Sequence, residues 1–450
     1  MKKVIVTVLI VLGIAFAFAS GITPTYIISA PGVASGIGAK LLCSSVYVSG
    51  FSEDQAFADL TQYSPILERL TVKYDHDRRQ VHTSFYGLSP TTASYVDGLG
   101  CANDYNNYSQ RSELQMTPLP VFTSRWPHGN RVETISNPLQ QLTNALVSQD
   151  NAAGLNTRAL LVVHRGNIVA ESYAQGVNEE TPLLGWSMAK SLMSVMLGNL
   201  EYRGLLSTDE AAGFTQWQND SRRDIRIEHL LTMTDGLNFS EEYNPGDDAT
   251  AMLFTEPSAS AYVIRQGLAA APGSNFNYSS GTANVLSRIY FDRTGGALAS
   301  SLQDYRENIA VPLSFQHSVF ETDASGVLVG SSYFYASARD WARIGQLMLN
   351  KGVLNGARVV SEDWANRSVQ PNSSLNQRAY GYQWWLNSDG SENYRRWPEL
   401  PVDAYSANGN RQQYMMVIPS AETVIVRIGW TSGRYPVGER FAQILNALGD

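Results

Sequence analysis

The chain has 450 residues, 44% hydrophobic and 10% aromatic, enough to bury one large core or two packed subdomains, which excludes a disordered chain. Charged residues are only 16%, and the net charge of −8 with a pI near 5.4 excludes nucleic acid or an anionic membrane surface as the main partner. No internal repeat or low-complexity tract interrupts the sequence.

The first residues read as an export signal. Lys2-Lys3 form a basic start, Val4 to Phe18 an apolar stretch, and Ala17-Phe18-Ala19 a small-residue cleavage pattern before Ser20. Residues 1–19 are therefore expected to be a signal peptide. The apolar run is short of the about 20 residues of a spanning helix, and an uncleaved anchor is the alternative. Either reading implies a periplasmic or secreted protein, which meets the membrane only through that N-terminus.

Residues 20 to about 45 are rich in Gly, Ala, Ser and Ile without clear periodicity, and are expected to be a lead-in from the membrane. From about 40 to 115, short mixed segments such as Ser44–Gly50 and Val81–Leu88 read as a small preface bracketed by Cys43 and Cys101. In an exported chain this even pair predicts a disulfide, two buried free thiols being the alternative. Leu41-Leu42-Cys43 is not a lipidation box, because it lies far from the apolar stretch and Leu42 is bulky where a small residue is needed. Neither Cys-x-x-Cys nor His-Glu-x-x-His occurs, so no metal is expected. Pro118, Pro120, Pro127 and Gly129 mark a loop-rich junction. The expected division is an N-terminal extension over 20–120 and a main domain over 121–450.

Ala159–His164, a turn at Arg165-Gly166-Asn167, and Ile168–Tyr173 predict a β-hairpin. From 187 to about 370 the pattern is mainly helical, punctuated by Asp235-Gly236, Pro245-Gly246 and Pro272-Gly273. Strands return at Gln413–Ile418 and Thr423–Ile428, and a last helix is expected over Gly438–Leu448. Early strands, a helical middle and late strands predict an α/β (α+β) fold. One antiparallel sheet is built from both ends of the chain, with a mainly helical lobe inserted and the site in the cleft between them.

The most informative motif is Ser187-Met188-Ala189-Lys190. Residues three apart share a helix face, and Met188, Leu192, Val195, Met196 and Leu200 continue the helical period to Arg203-Gly204. Ser187 therefore falls in a first turn, where free N–H groups and the helix dipole favour developing negative charge. A serine cap followed by a solvated lysine is the plainer reading of the pair alone. The rest of the chain favours chemistry. Trp186–Ser191, His229-Leu230-Leu231-Thr232-Met233-Thr234-Asp235-Gly236-Leu237, Pro272-Gly273 and Phe276-Asn277-Tyr278-Ser279-Ser280-Gly281 occur in order, followed by Ser337–Gly345 and Tyr380–Trp385.

Over residues 155 to 435 this array resembles the penicillin-recognising serine hydrolases, with their β-lactamase/transpeptidase-like fold. It is most similar to the class C β-lactamase-like esterases and amidases, 6-aminohexanoate-dimer hydrolases among them. The resemblance implies a nucleophilic Ser187, with Lys190 and Tyr278 as proton handlers, and leaves open which of the two is the acylation base. It also implies an oxyanion hole made by the N–H groups of Ser187 and Asn410, where Gly409 lets the backbone approach substrate. No Ser–His triad or Gly-x-Ser-x-Gly elbow offers a rival nucleophile.

Two departures stand out. The Tyr-x-Asn of many β-lactamases is Tyr278-x-Ser280, which leaves Ser280 as the expected substrate contact there, and the lysine that opens the third motif is Ala407. Both point away from β-lactams. Tyr243 falls where the aminohexanoate-dimer branch has a tyrosine donating to the leaving group, and a lone loop tyrosine is the plainer reading. Arg411 reads as a surface arginine or an anion contact at the cleft mouth; Trp384 and Trp385 read as cleft walls or core. The expectation is an exported serine hydrolase acting on a small ester or amide through an acyl-enzyme, without a cofactor. A D,D-peptidase or weak β-lactamase, and a catalytically inactive sensor module, are the alternatives.

Overall fold

The run Ala159–Val163 has no polar position, and a strand with apolar side chains on both sides needs cover on both faces. The computed structural model describes residues 23–449 apart from 106–110, 112, 113, 115 and 134, and it supplies that cover. The expected signal peptide lies outside the described residues.

The N-terminal part differs most from expectation. Residues read as an aperiodic lead-in form a helix, α1 (Pro24–Tyr47), with Thr23 as its cap and Pro24 in its first turn. A second helix, α2 (Glu53–Tyr63), follows, then an antiparallel sheet of β1 (Leu70–Asp75), β2 (Gln80–Phe85), β3 (Leu88–Val96) and β4 (Gly100–Asn103). Every residue from Val33 to Ser44 is buried. The physical reason for the missing period is that α1 is covered on several sides, so it has no polar face to alternate with. Its small residues permit that cover: a Cβ on Gly36 would stand 2.2 Å from the Phe254 carbonyl oxygen, and one on Gly38 2.5 Å from Leu70. The helix is long and apolar enough to cross a membrane, yet 67% of its most apolar window is buried against protein.

Cys43 and Cys101 form a disulfide between α1 and β4. Beside it, Lys40 pairs with Glu321, both side chains being almost wholly buried. Glu321 also accepts from Ser44 Oγ at 2.8 Å and from the Cys101 N–H at 2.7 Å. An ion pair removed from water persists only with its remaining hydrogen bonds satisfied. These contacts fasten the N-terminal unit to the rest of the molecule.

The main sheet follows helix α3 (Asn137–Ala152) with the hairpin β5 (Thr157–His164) and β6 (Asn167–Tyr173). A largely helical lobe then carries α4 (Ala189–Tyr202), α5 (Ser280–Arg293) and α6 (Ala338–Leu349). The chain returns as β7 (Trp385–Leu386), β8 (Tyr405–Gly409), β9 (Gln413–Ile418) and β10 (Thr423–Gly429), and ends in α7 (Val437–Gly449). The strand order is β7-β8-β9-β10-β5-β6, antiparallel throughout, with Val424 facing Val163 and Val426 facing Leu161. Leu160 and Val162 pack with Leu146, Phe441 and Ile444 of α3 and α7. Leu161 and Val163 join the larger core on the opposite face, with Trp341 and Ile344 of α6. The sheet drawn from both ends of the chain is thus present, and the helical lobe stands against it.

Candidate active site

A tight turn places the serine. Gly185 follows the short strand Leu183–Leu184 and leaves no room for a side chain, since a Cβ there would sit 2.0 Å from the Trp341 ring. Trp186 adopts φ of +49°, a left-handed conformation unusual for a bulky residue. The next residue, Ser187, is the middle of a single 3-10 turn that runs directly into α4. Ser187 is half-buried and Lys190, one turn on, is 1% exposed. A reachable hydroxyl therefore stands over a shielded amine.

Lys190 Nζ lies 2.9 Å from Ser187 Oγ, 3.0 Å from Ser280 Oγ and 2.9 Å from the Ser331 carbonyl oxygen. Proton accounting sets the direction of these bonds. The Ser331 carbonyl can only accept. Ser280 donates its own hydroxyl proton to Glu241 Oε1 at 2.6 Å, so towards Lys190 it too accepts. A neutral amine spends both N–H bonds on these two partners, which leaves its lone pair facing Ser187. Burial pushes the Lys190 amine down to about 8, against the opposing charge of Glu241.

Tyr278 reaches the same hydroxyl. It interacts with Ser187, its ring centre is 5.0 Å from Lys190 Nζ, and it stacks on Trp385 at 5.0 Å. Burial pushes the phenol well above its ordinary value, with Glu241 acting in the same sense. At neutral pH the phenol keeps its proton and is equipped to give one rather than take one.

Gly409, at the end of β8, is pressed against the serine turn: a Cβ on it would lie 2.0 Å from the Gly185 carbonyl oxygen. Asn410 comes next and opens a turn in which Arg411 and Gln412 have φ of +60° and +65°. The strand end expected to carry the second oxyanion donor is thus packed against the turn that carries Ser187. Ala407 is buried within β8. Arg411 is engaged by the N-terminal unit, donating to the Gln62 carbonyl at 3.1 Å and stacking over Tyr63 at 4.8 Å. Trp384 is core, whereas Trp385 is wall.

This array of Ser187, Lys190, Tyr278 and the β8 edge sits on a fold with known relatives. The sequence profile of the family described as Beta-lactamase matches residues 141–447. The chain belongs to the β-lactamase family. A 6-aminohexanoate-dimer hydrolase of Paenarthrobacter ureafaciens is 24% identical over 299 residues, 60% of this chain and 72% of that protein. Among solved structures, a family VIII carboxylesterase has a TM-score of 0.56 at 14% identity, covering 71% of this chain and 100% of its own. A class C β-lactamase has a TM-score of 0.52 at 14% identity, covering 70% and 98%.

Within this β-lactamase-family scaffold, two residues join the site that sequence reasoning missed. Glu241 bridges the motif residues: it accepts from the Ser280 N–H at 2.6 Å, from Ser280 Oγ, and from the Tyr243 hydroxyl at 2.9 Å. Tyr243 is therefore at the site, its phenol held above its ordinary value by burial and by Glu241. Ser280, expected as a substrate contact, is engaged between Lys190 and Glu241. The second residue, Tyr63 of α2, stacks on Trp186 at 5.9 Å, and its hydroxyl interacts with Asn410. The only signal for Glu241 was its place two residues before Tyr243. Tyr63 had none.

Proposed function

We propose that the protein is an exported serine hydrolase that cleaves an ester or amide through an acyl-enzyme on Ser187. The observation that carries this reading is the proton accounting at Lys190, whose lone pair, once the amine is neutral, has no partner among the described residues but the Ser187 hydroxyl. Ser187 Oγ attacks the substrate carbonyl as its proton passes to Lys190 Nζ. The carbonyl oxygen becomes an oxyanion held by the N–H groups of Ser187 and Asn410, each such donor being worth about 3 kcal/mol in comparable sites. Tyr278 gives its proton to the leaving oxygen or nitrogen and recovers one from the Lys190 ammonium. Water then attacks the acyl-enzyme by the same path in reverse, releasing the acid and restoring Ser187. The disulfide supports export, because such bonds persist in oxidising compartments.

The site is poorly furnished for β-lactams. Ala407 offers no cation to a substrate carboxylate, and the nearby Arg411 is committed to Gln62 and Tyr63. An ester and amide panel with nitrocefin alongside tests the assignment. Turnover of short esters or amides, lost in Ser187→Ala and in Lys190→Ala with the fold intact, is expected. Turnover surviving Ser187→Ala would overturn it.

A further inference from the structure

Tyr63 and Tyr243 each have two faces. Their hydroxyls point to the chemistry, Tyr63 to Asn410 and Tyr243 to Glu241. Both residues also line a cavity of about 450 Å3 between the N-terminal unit and the lobe. Helix α1 forms one wall through Ile27, Ala30, Ala34 and Ile37; Phe85 and Phe254 close others. Among the described residues that line it, none is charged. Thr250, a polar group there, already donates to the Asn244 carbonyl at 2.8 Å. At the rim Ile27 is 58% and Ile66 53% exposed, so the cavity opens to solvent at an apolar mouth. An apolar pocket of this volume, sharing Tyr63 and Tyr243 with the reactive centre beside it, has the form of a ligand subsite.

We propose that this cavity is the substrate-chain subsite of the Ser187 centre and takes an unbranched aliphatic chain of the ester or amide. The inference rests on the serine-hydrolase reading above and names its substrate class. A chain whose buried end carried an ammonium or carboxylate would lose its hydration there without gaining a partner. A methylene chain would gain from each carbon buried. The N-terminal unit thus supplies substrate selection, while the family scaffold supplies the chemistry.

The test uses the full-length protein and two ester series, p-nitrophenyl esters from acetyl to decanoyl and acetates of alcohols from ethanol to decanol. One series is expected to rise in kcat/KM about four-fold per methylene until the cavity is full. Which series rises tells whether the chain enters on the acyl or the leaving-group side. Ala30→Trp, which fills the cavity from α1, is expected to flatten that rise while leaving acetyl ester turnover and fluorophosphonate labelling as in wild type. Ile27→Asp, at the exposed rim, serves if Ala30→Trp does not fold, and is expected to weaken the rise. Two flat series, or a rise that survives both variants, would overturn the proposal and give the cavity to another apolar occupant, such as the chain's own leading residues.

Absence of both turnover and labelling would instead count against the serine-hydrolase reading. The cavity is then judged by calorimetric titration with decanoate and acetate. Decanoate binding that is lost in Ala30→Trp retains an aliphatic-chain site, and absence of decanoate binding removes it.

Discussion

Glu241→Gln isolates the electrostatics of the site from its shape. Glutamine keeps the side chain's length and one oxygen, which can accept from the Ser280 hydroxyl in place of Oε1, but it gives up the Oε2 acceptor of the Ser280 N–H and removes the carboxylate charge, which now favours the Lys190 ammonium. Two hydrogen bonds, of 3.0 and 2.6 Å through Ser280, link the groups. Opposite unit charges about 5–6 Å apart attract by roughly 3 kcal/mol at an effective dielectric of about 20. Glu241 is only half-buried, so solvent screening reduces this to about 1–2 kcal/mol, or about one pH unit. The sign follows from which form works: in the proposed mechanism the base is the neutral amine, its fraction rises as pH passes about 8, and removing the carboxylate lowers that midpoint. The assay is kcat/KM for a short p-nitrophenyl ester between about pH 6 and 10. The wild-type rate should climb through about pH 8, and the variant's through a point about one unit lower, with higher activity below neutrality. A limb that stays in place or moves upward would refute the reasoning.

Gly409→Ala should cut kcat about a hundred-fold or more with the fold intact by circular dichroism, because the new Cβ would meet the Gly185 carbonyl at 2.0 Å and spread the two backbone segments proposed to carry the oxyanion donors. Lys40→Met should destabilise the protein by about 3–5 kcal/mol in urea unfolding, since it leaves Glu321 buried without its cation. Adding Glu321→Gln should recover part of that loss, and both variants should keep labelling at Ser187 under native conditions.

The hairpin β5–β6, the late strands β9 and β10 and the last helix were legible because local apolar patterning and turn residues agree with the tertiary result. That Ser187, Lys190 and Tyr278 come together, with Gly409 against the serine turn, was legible from the order and spacing of the motifs. Helix α1 was not legible. Its Ala34, Gly36, Gly38 and Ala39 stretch is buried all round, and a helix without a solvent face gives no amphipathic signal. Glu241 was hidden for another reason: beside Glu242, it reads as one of two solvated acids until the fold brings Ser280 onto it. Tyr63 lies far along the chain from Asn410, and only packing unites them. The contact of Lys190 with Ser280 was likewise invisible in the motif, and it supports the proposal that Lys190 is the base.

The most direct measurement is intact-protein and peptide mass spectrometry after brief exposure to a fluorophosphonate and, separately, to a slowly deacylating ester. The account predicts a single adduct in each case, on the peptide bearing Ser187, with none in Ser187→Ala and much slower formation in Lys190→Ala. An adduct on another residue, or equal labelling of Ser187→Ala, would contradict it.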